Sequence, residues 1–155
     1  GVLSSARTED LTAEQWDRTL AINLRAVFLC CQAALPVMKE RRSGKIVNIS
    51  SLAGESGGIQ VGLDYAASKG GILALTKKLA LEIAPFNIQV NAVAPGFTET
   101  SLIDSLDSSD LVSRIPLRRA GKPADTASAV YFLASDEASY ITGATLDVNG
   151  SLLMR

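Results

Sequence analysis

Two side chains of this sequence are spaced to move a proton. Tyr65 and Lys69 lie four residues apart in Tyr65-Ala66-Ala67-Ser68-Lys69, which opens a helical segment after a glycine-rich loop. On a helix, positions i and i+4 stack on one face, so an ammonium stands beside a phenol. A phenol ionises near pH 10, and a neighbouring positive charge favours the ionised form. Such a pair can donate and accept a proton near neutral pH. Taken alone, Tyr and Lys four apart are an ordinary solvated helix face. Their surroundings decide between the two readings.

The elements that must position the pair follow from pattern. Thr12-Ala13-Glu14-Gln15 fits a capping box and starts a helix that runs to about Arg41, with Pro36 expected to kink it or loosen a turn. Trp16, Leu20, Val27, Cys31 and Met38 lie near one apolar stripe, and Asn23 is polar among them. By itself Asn23 reads as a core asparagine bonded to nearby backbone. Lys45–Ser50 is a short apolar strand ended by Ser51. Gly54, Gly57, Gly58 and Gly62 form a flexible loop without the spacing of a phosphate-binding motif; it reads as a cover for a site. The Tyr65 helix spans about Asp64 to Ala84 and is stopped by Pro85, and its small residues permit close approach of another helix. A strand over 87–94 ends at Pro95-Gly96. Residues 97–115 read as a lid, 123–135 as a helix and 144–148 as a last strand, followed by an apolar tail suited to a subunit interface or a pocket wall.

Helices alternating with strands imply an α/β fold: a Rossmann-like parallel sheet with flanking helices, in a single domain over 1–155. The composition agrees, with 155 residues, 47% hydrophobic, 20% charged and a net charge of −1. Acids and bases are mixed, so neither a nucleic-acid footprint nor a polybasic membrane patch is expected. No apolar run is read as bilayer-spanning. The adjacent cysteines Cys30 and Cys31 read as small core residues, not a disulfide, and point to the cytoplasm. Histidine is absent, which removes Ser-His-Asp catalysis and the commonest zinc sites; no metal is expected.

In parallel sheets, ligands bind beyond the carboxyl ends of the strands. Ser51 and Pro95-Gly96 end consecutive strands, and Tyr65 and Lys69 open the helix between them. These features can face one crevice, with Asn23 able to reach it from the preceding helix.

In this order, Ile22-Asn23, Ile49-Ser50-Ser51-Leu52-Ala53-Gly54, Tyr65–Lys69 and Val90–Thr100 with its Pro95-Gly96 turn resemble the short-chain dehydrogenase/reductases, nearest the 3-oxoacyl-[acyl-carrier-protein] reductases. The closing Tyr140–Gly143 and Asp147–Gly150 fit the same pattern. The resemblance implies hydride transfer between NAD or NADP and a carbonyl or secondary alcohol. Tyr65 would be the proton donor, Ser51 would orient the substrate oxygen, and Lys69 would lower the phenol pKa and bind the nicotinamide ribose. Asn23 would anchor a water leading to Lys69. Asn48, Pro95, Gly96, Thr98 and Thr100, with Tyr65 and Lys69, would line the cofactor.

The resemblance begins partway through the family pattern. Gly1 aligns with the end of a later glycine motif, so the chain looks like a C-terminal portion, with the N-terminal nucleotide-binding strands and the residue choosing NAD or NADP absent. The implied partners are a small-molecule carbonyl or alcohol and further copies of the chain, as a dimer or tetramer. Arg41 and Arg42 are candidate contacts for an acidic carrier protein. The alternative function is a non-catalytic remnant serving as an oligomerisation or interaction module.

Overall fold

The computed structural model describes residues 1–100 and 108–154. The middle of the expected lid, residues 101–107 with Leu102, Ile103 and Leu106, lies outside the described residues.

Thr12 caps α1 (Ala13–Leu20) through the expected box: Gln15 N donates to Thr12 Oγ1 at 3.2 Å and Thr12 N to Gln15 Oε1 at 2.9 Å. The helix continues through a π turn (Ala21–Arg25) into α2 (Ala26–Arg41). The expected disturbance at Pro36 is not where the regularity breaks. The α pattern runs through Pro36, and the irregular turn is the one that carries Asn23. Such wide turns gather at functional sites.

By length and composition the run Ala13–Arg41 is long and apolar enough to cross a bilayer, contrary to the expectation from the sequence. Part of that apolar surface packs on the sheet: Leu35 and Met38 join Ile46, Ala80, Ile83, Ile88 and Val90 in one core.

Strand β1 (Gly44–Ile49) leads through Ser51 into a single helical turn, α3 (Ala53–Ser56), where a loop was expected. Gly57 and Gly58 then adopt positive φ. Helix α4 (Leu63–Ile83) carries Tyr65 and Lys69, and Pro85 ends it within a 3₁₀ turn. Strand β2 (Ile88–Pro95) follows, then α5 (Ser108–Arg114), α6 (Pro123–Ala134) and β3 (Thr145–Val148).

The three strands are parallel in the order β1-β2-β3, with Gly44 opposite Ile88 and Ala92 opposite Thr145. Ile88 and Val90 face α2 and α4, while Val93 faces α6 in a second core with Leu133 and Ala138. The sheet is thus covered on both faces, as parallel sheets require. Asn91, fully buried, braces the start of β3: its amide donates to Ile141 O at 2.8 Å and its carbonyl accepts from Ala144 N at 3.0 Å.

The small residues of α4 serve as expected. Leu24 of the π turn packs where a side chain on Gly71 would lie. Of the two cysteines only Cys31 is buried; Cys30 is exposed, and both are free thiols, so the expectation of two core residues holds for one.

Candidate active site

The carboxyl ends of β1 and β2 bring the predicted groups together. Past β1, Ser50 N donates to Val93 O at 2.8 Å, and Leu52 N donates to Pro95 O at 2.9 Å. These bonds fix Ser51 beside the Pro95-Gly96 turn. The turn requires a glycine, because a Cβ on Gly96 would lie 2.8 Å from Asn149 Cβ. Gly96 N donates to Val148 O at 2.9 Å, tying all three strand ends into one floor.

Over this floor stands the first turn of α4. The Tyr65 phenol is buried and faces the Ser51 hydroxyl. Lys69 Nζ donates to Ile49 O at 3.0 Å and lies 5.7 Å from the centroid of the Tyr65 ring. Helix α3 crosses α4 at the same place. A Cβ on Gly54 would stand 2.6 Å from the Lys69 carbonyl carbon, and Ser50 Oγ donates to Lys69 O at 2.8 Å.

A cleft of about 380 Å³ opens along this constellation, lined by Ser51, Tyr65, Lys69, Pro95, Gly96, Thr98 and Thr100. Seven of the residues expected from the sequence therefore share one cavity. Pro123 and Thr126 at the start of α6, together with Gly1, Ile49 and Ser50, complete its wall. No motif distinguishes Pro123 and Thr126; only the fold places them. Behind Tyr65 and Ser51 a smaller apolar pocket of about 110 Å³ is bounded by Leu3, Ile59, Val61, Phe97, Leu111 and Leu152. The glycine-rich loop and the apolar tail thus form pocket walls, as two of the sequence readings anticipated.

Asn23 and Asn48 lie elsewhere. Asn23 is buried in the π turn. Its amide clasps the N-terminal segment, with Val2 N donating to Oδ1 at 2.8 Å and Nδ2 donating to Val2 O at 2.9 Å and Ser68 Oγ at 3.2 Å. These bonds fit the core reading of that residue, and the side chain also lines one groove with Lys69. Asn48 donates to Thr76 Oγ1 at 2.9 Å and accepts from Cys31 Sγ at 3.7 Å. It lines the adjoining groove between α2 and β1, not the Tyr65 cleft, so its side chain is not placed to line a nicotinamide there. Lys69 borders both spaces.

Arg41 and Arg42 are also displaced from the expectation. They sit at the amino end of β1, where Arg42 Nη2 donates to Pro85 O at 2.8 Å beyond the far end of α4. A 21-residue helix is about 30 Å long, so within one chain they cannot flank the mouth at Tyr65.

The electrostatics of the pair differ from the simplest expectation. Burial pushes the Tyr65 phenol above its ordinary value, and the Ser51 hydroxyl only partly offsets this. Burial likewise pushes the Lys69 ammonium below its usual range. Desolvation opposes both charged forms and is the largest influence on each.

The cleft suits the nicotinamide end of a dinucleotide. It has one cationic donor in Lys69, hydroxyls from Thr98 and Thr100, and a close-packed Pro95-Gly96 floor. Among the described residues, no group of three or more His, Cys, Asp or Glu is arranged to hold a metal ion.

Comparisons with known proteins agree with this fold. Residues 1–152 match the family model described as enoyl-(acyl carrier protein) reductase. The chain is 44% identical over 157 residues to the 3-oxoacyl-[acyl-carrier-protein] reductase FabG of Rickettsia felis, covering 99% of this chain and 65% of that protein. It is 43% identical over 157 residues to FabG of Thermotoga maritima, covering 99% and 63%. A crystal structure of a 3-oxoacyl-[acyl-carrier protein] reductase from Brucella melitensis with bound NAD matches with a TM-score of 0.92 at 38% identity, over 98% of this chain and 57% of that one. The chain therefore spans less than two thirds of the length of these relatives.

Proposed function

Because this chain belongs to the short-chain dehydrogenase/reductase family, we propose that it carries the proton-transfer site of an NAD(P)(H)-dependent carbonyl reductase, with 3-oxoacyl thioesters as the favoured substrate class. One observation carries the reading: the Tyr65 phenol, facing Ser51 and one turn from Lys69, opens on a cleft whose remaining wall suits a nicotinamide.

When bound, the cofactor supplies the hydride that reduces the carbonyl carbon. Lys69, Pro95, Gly96, Thr98 and Thr100 would hold it. The chain itself handles the oxygen. Ser51 donates a hydrogen bond to the carbonyl oxygen, and Tyr65 transfers its hydroxyl proton to that atom as the alkoxide forms. The resulting phenolate is stabilised by the positive charge of Lys69 and then reprotonated. Its raised pKa keeps Tyr65 protonated at neutral pH, the state needed for reduction. The apolar pocket behind Ser51 takes the carbon chain flanking the carbonyl.

The choice between NAD and NADP is left to residues outside this cleft. The non-catalytic reading gains no support from a site in which seven expected residues share one cavity. Exposed Phe28, Leu29, Val37 and Leu81 on α2 and α4 favour a homo-oligomer, a dimer or tetramer. The free thiols suit a cytoplasmic location.

The test is NADPH and NADH oxidation with acetoacetyl-coenzyme A, for the protein and for its Tyr65→Phe variant. Cofactor-dependent turnover abolished by Tyr65→Phe is the expected result. Turnover that survives the substitution would remove Tyr65 from the chemistry.

A further inference from the structure

Helix α4 starts without a side-chain cap, because its N-cap is Gly62. Asp64 stands in its first turn, where the helix dipole favours an acid. Its carboxylate is fully buried, accepts from Thr19 Oγ1 at 2.6 Å and faces the Ser4 hydroxyl. Its other oxygen, Oδ1, is buried beside the backbone N–H groups of the first turn without a hydrogen bond of its own. Desolvation pushes this carboxyl upward, but the hydroxyls and amides around it more than reverse that, so the buried group stays charged.

Thr19 lies one turn before Asn23, and Asp64 one turn before Ser68. Thr19–Asp64 and Asn23–Ser68 are both separated by 45 residues in sequence. The first helix and α4 are therefore joined by two buried side-chain rungs, one turn apart. Each rung is followed on α4 by a residue of the proton-transfer pair: Tyr65 after Asp64, Lys69 after Ser68. A two-point attachment fixes the rotation of a helix about its own axis, which a single contact does not.

We propose that Thr19 and Asp64 are positioning residues for the proton transfer, holding the first turn of α4 so that the Tyr65 hydroxyl stays in register with Ser51. Neither touches the cleft; both act through the backbone of Tyr65. The inference rests on the carbonyl-reductase reading above.

Thr19→Val keeps the shape of the side chain and removes the hydroxyl, and Thr19→Ser keeps the hydroxyl. The assay is NADPH-dependent reduction of acetoacetyl-coenzyme A, with cofactor affinity by nicotinamide fluorescence and folding by thermal melting. In Thr19→Val, kcat should fall about tenfold or more, as expected for a displaced reacting group, while KM and cofactor affinity stay within about twofold. Thr19→Ser should restore kcat to within about twofold of the parent. If Thr19→Val does not fold, Thr19→Ala takes its place under the same criteria. A folded hydroxyl-free variant with the parent kcat would overturn the proposal, as would a Thr19→Ser as slow as Thr19→Val. A parent protein that reduces no ketone would instead end the carbonyl-reductase reading.

Discussion

Replacing Gly54 with alanine tests whether the crossing of α3 and α4 sets the catalytic geometry. The added Cβ would stand 2.6 Å from the Lys69 carbonyl carbon and 2.8 Å from both Lys69 O and Gly70 N, where ordinary contact begins at 3.4 Å. All three atoms are helix backbone, so no side chain can swing aside. The two segments must separate by 3.4 − 2.6 = 0.8 Å. Helix α3 begins two residues after Ser51, so Ser51 moves with it relative to Tyr65 and Lys69. Overpacking of this kind costs about 1–3 kcal/mol. In a chain of this size that lowers Tm by roughly 2–12 °C. A misplacement near 1 Å costs about a hundredfold in rate, so a fall in kcat of about tenfold to a hundredfold is expected. Gly70 supplies an internal scale. Its Cβ would meet only Gly54 O, at 3.2 Å, so Gly70→Ala should lose less on both measures. Steady-state kinetics and thermal melts on the two variants decide the matter. A Gly54→Ala protein with the parent Tm and kcat would refute the reasoning, and so would a Gly70→Ala protein more damaged than Gly54→Ala.

Further outcomes follow from the same structure. Tyr65 should ionise above the ordinary phenol range in an ultraviolet titration, and that late component should vanish in Tyr65→Phe. Because its folded pKa lies above the unfolded value, the linked stability is complete below about pH 10 and is lost as pH rises through the folded pKa. Asp125 is held down to about 2, first by its hydrogen bond to Arg119 at 2.7 Å and then by Lys122 N. Its contribution is complete above about pH 4 and is lost as pH falls through the folded value, so Arg119→Gln should raise the Asp125 midpoint seen by carboxyl NMR. Asn91→Ala strands a buried carbonyl and an amide at the start of β3 and should cost about 2–4 kcal/mol in denaturant unfolding, with kcat of the folded fraction within a few-fold.

Some of this was legible from residues alone because the signal was local. Thr12 and Gln15 announce a helix start by their spacing, and Pro85 announces the end of α4. Tyr65, Lys69, Ser51 and Pro95-Gly96 could be placed together because parallel strands deliver their carboxyl ends to one rim. What the sequence did not show depends on direction or on distant partners. Asn48 alternates to the α2 side of β1, and nothing in its neighbours says that Thr76 and Cys31 will occupy its amide. The π turn is a hydrogen-bond pattern and has no residue code of its own. Asp64 marks no more than a helix start in sequence, because its partner Thr19 lies 45 residues earlier. Arg41 and Arg42 were misplaced because a charge in sequence carries no information about which end of the sheet it reaches.

The π turn at Ala21–Arg25 also bears on which length changes the chain can absorb. Deleting one residue there would leave an uninterrupted α-helix with its backbone bonds intact. It would also turn everything upstream by about 100° against everything downstream. Thr19 would swing away from Asp64 while Leu35 and Met38 stayed on the sheet. The single extra residue is a phase adjustment between two faces that answer to different neighbours, one to α4 and one to β1. A deletion there would be tolerated as helix and lost as register.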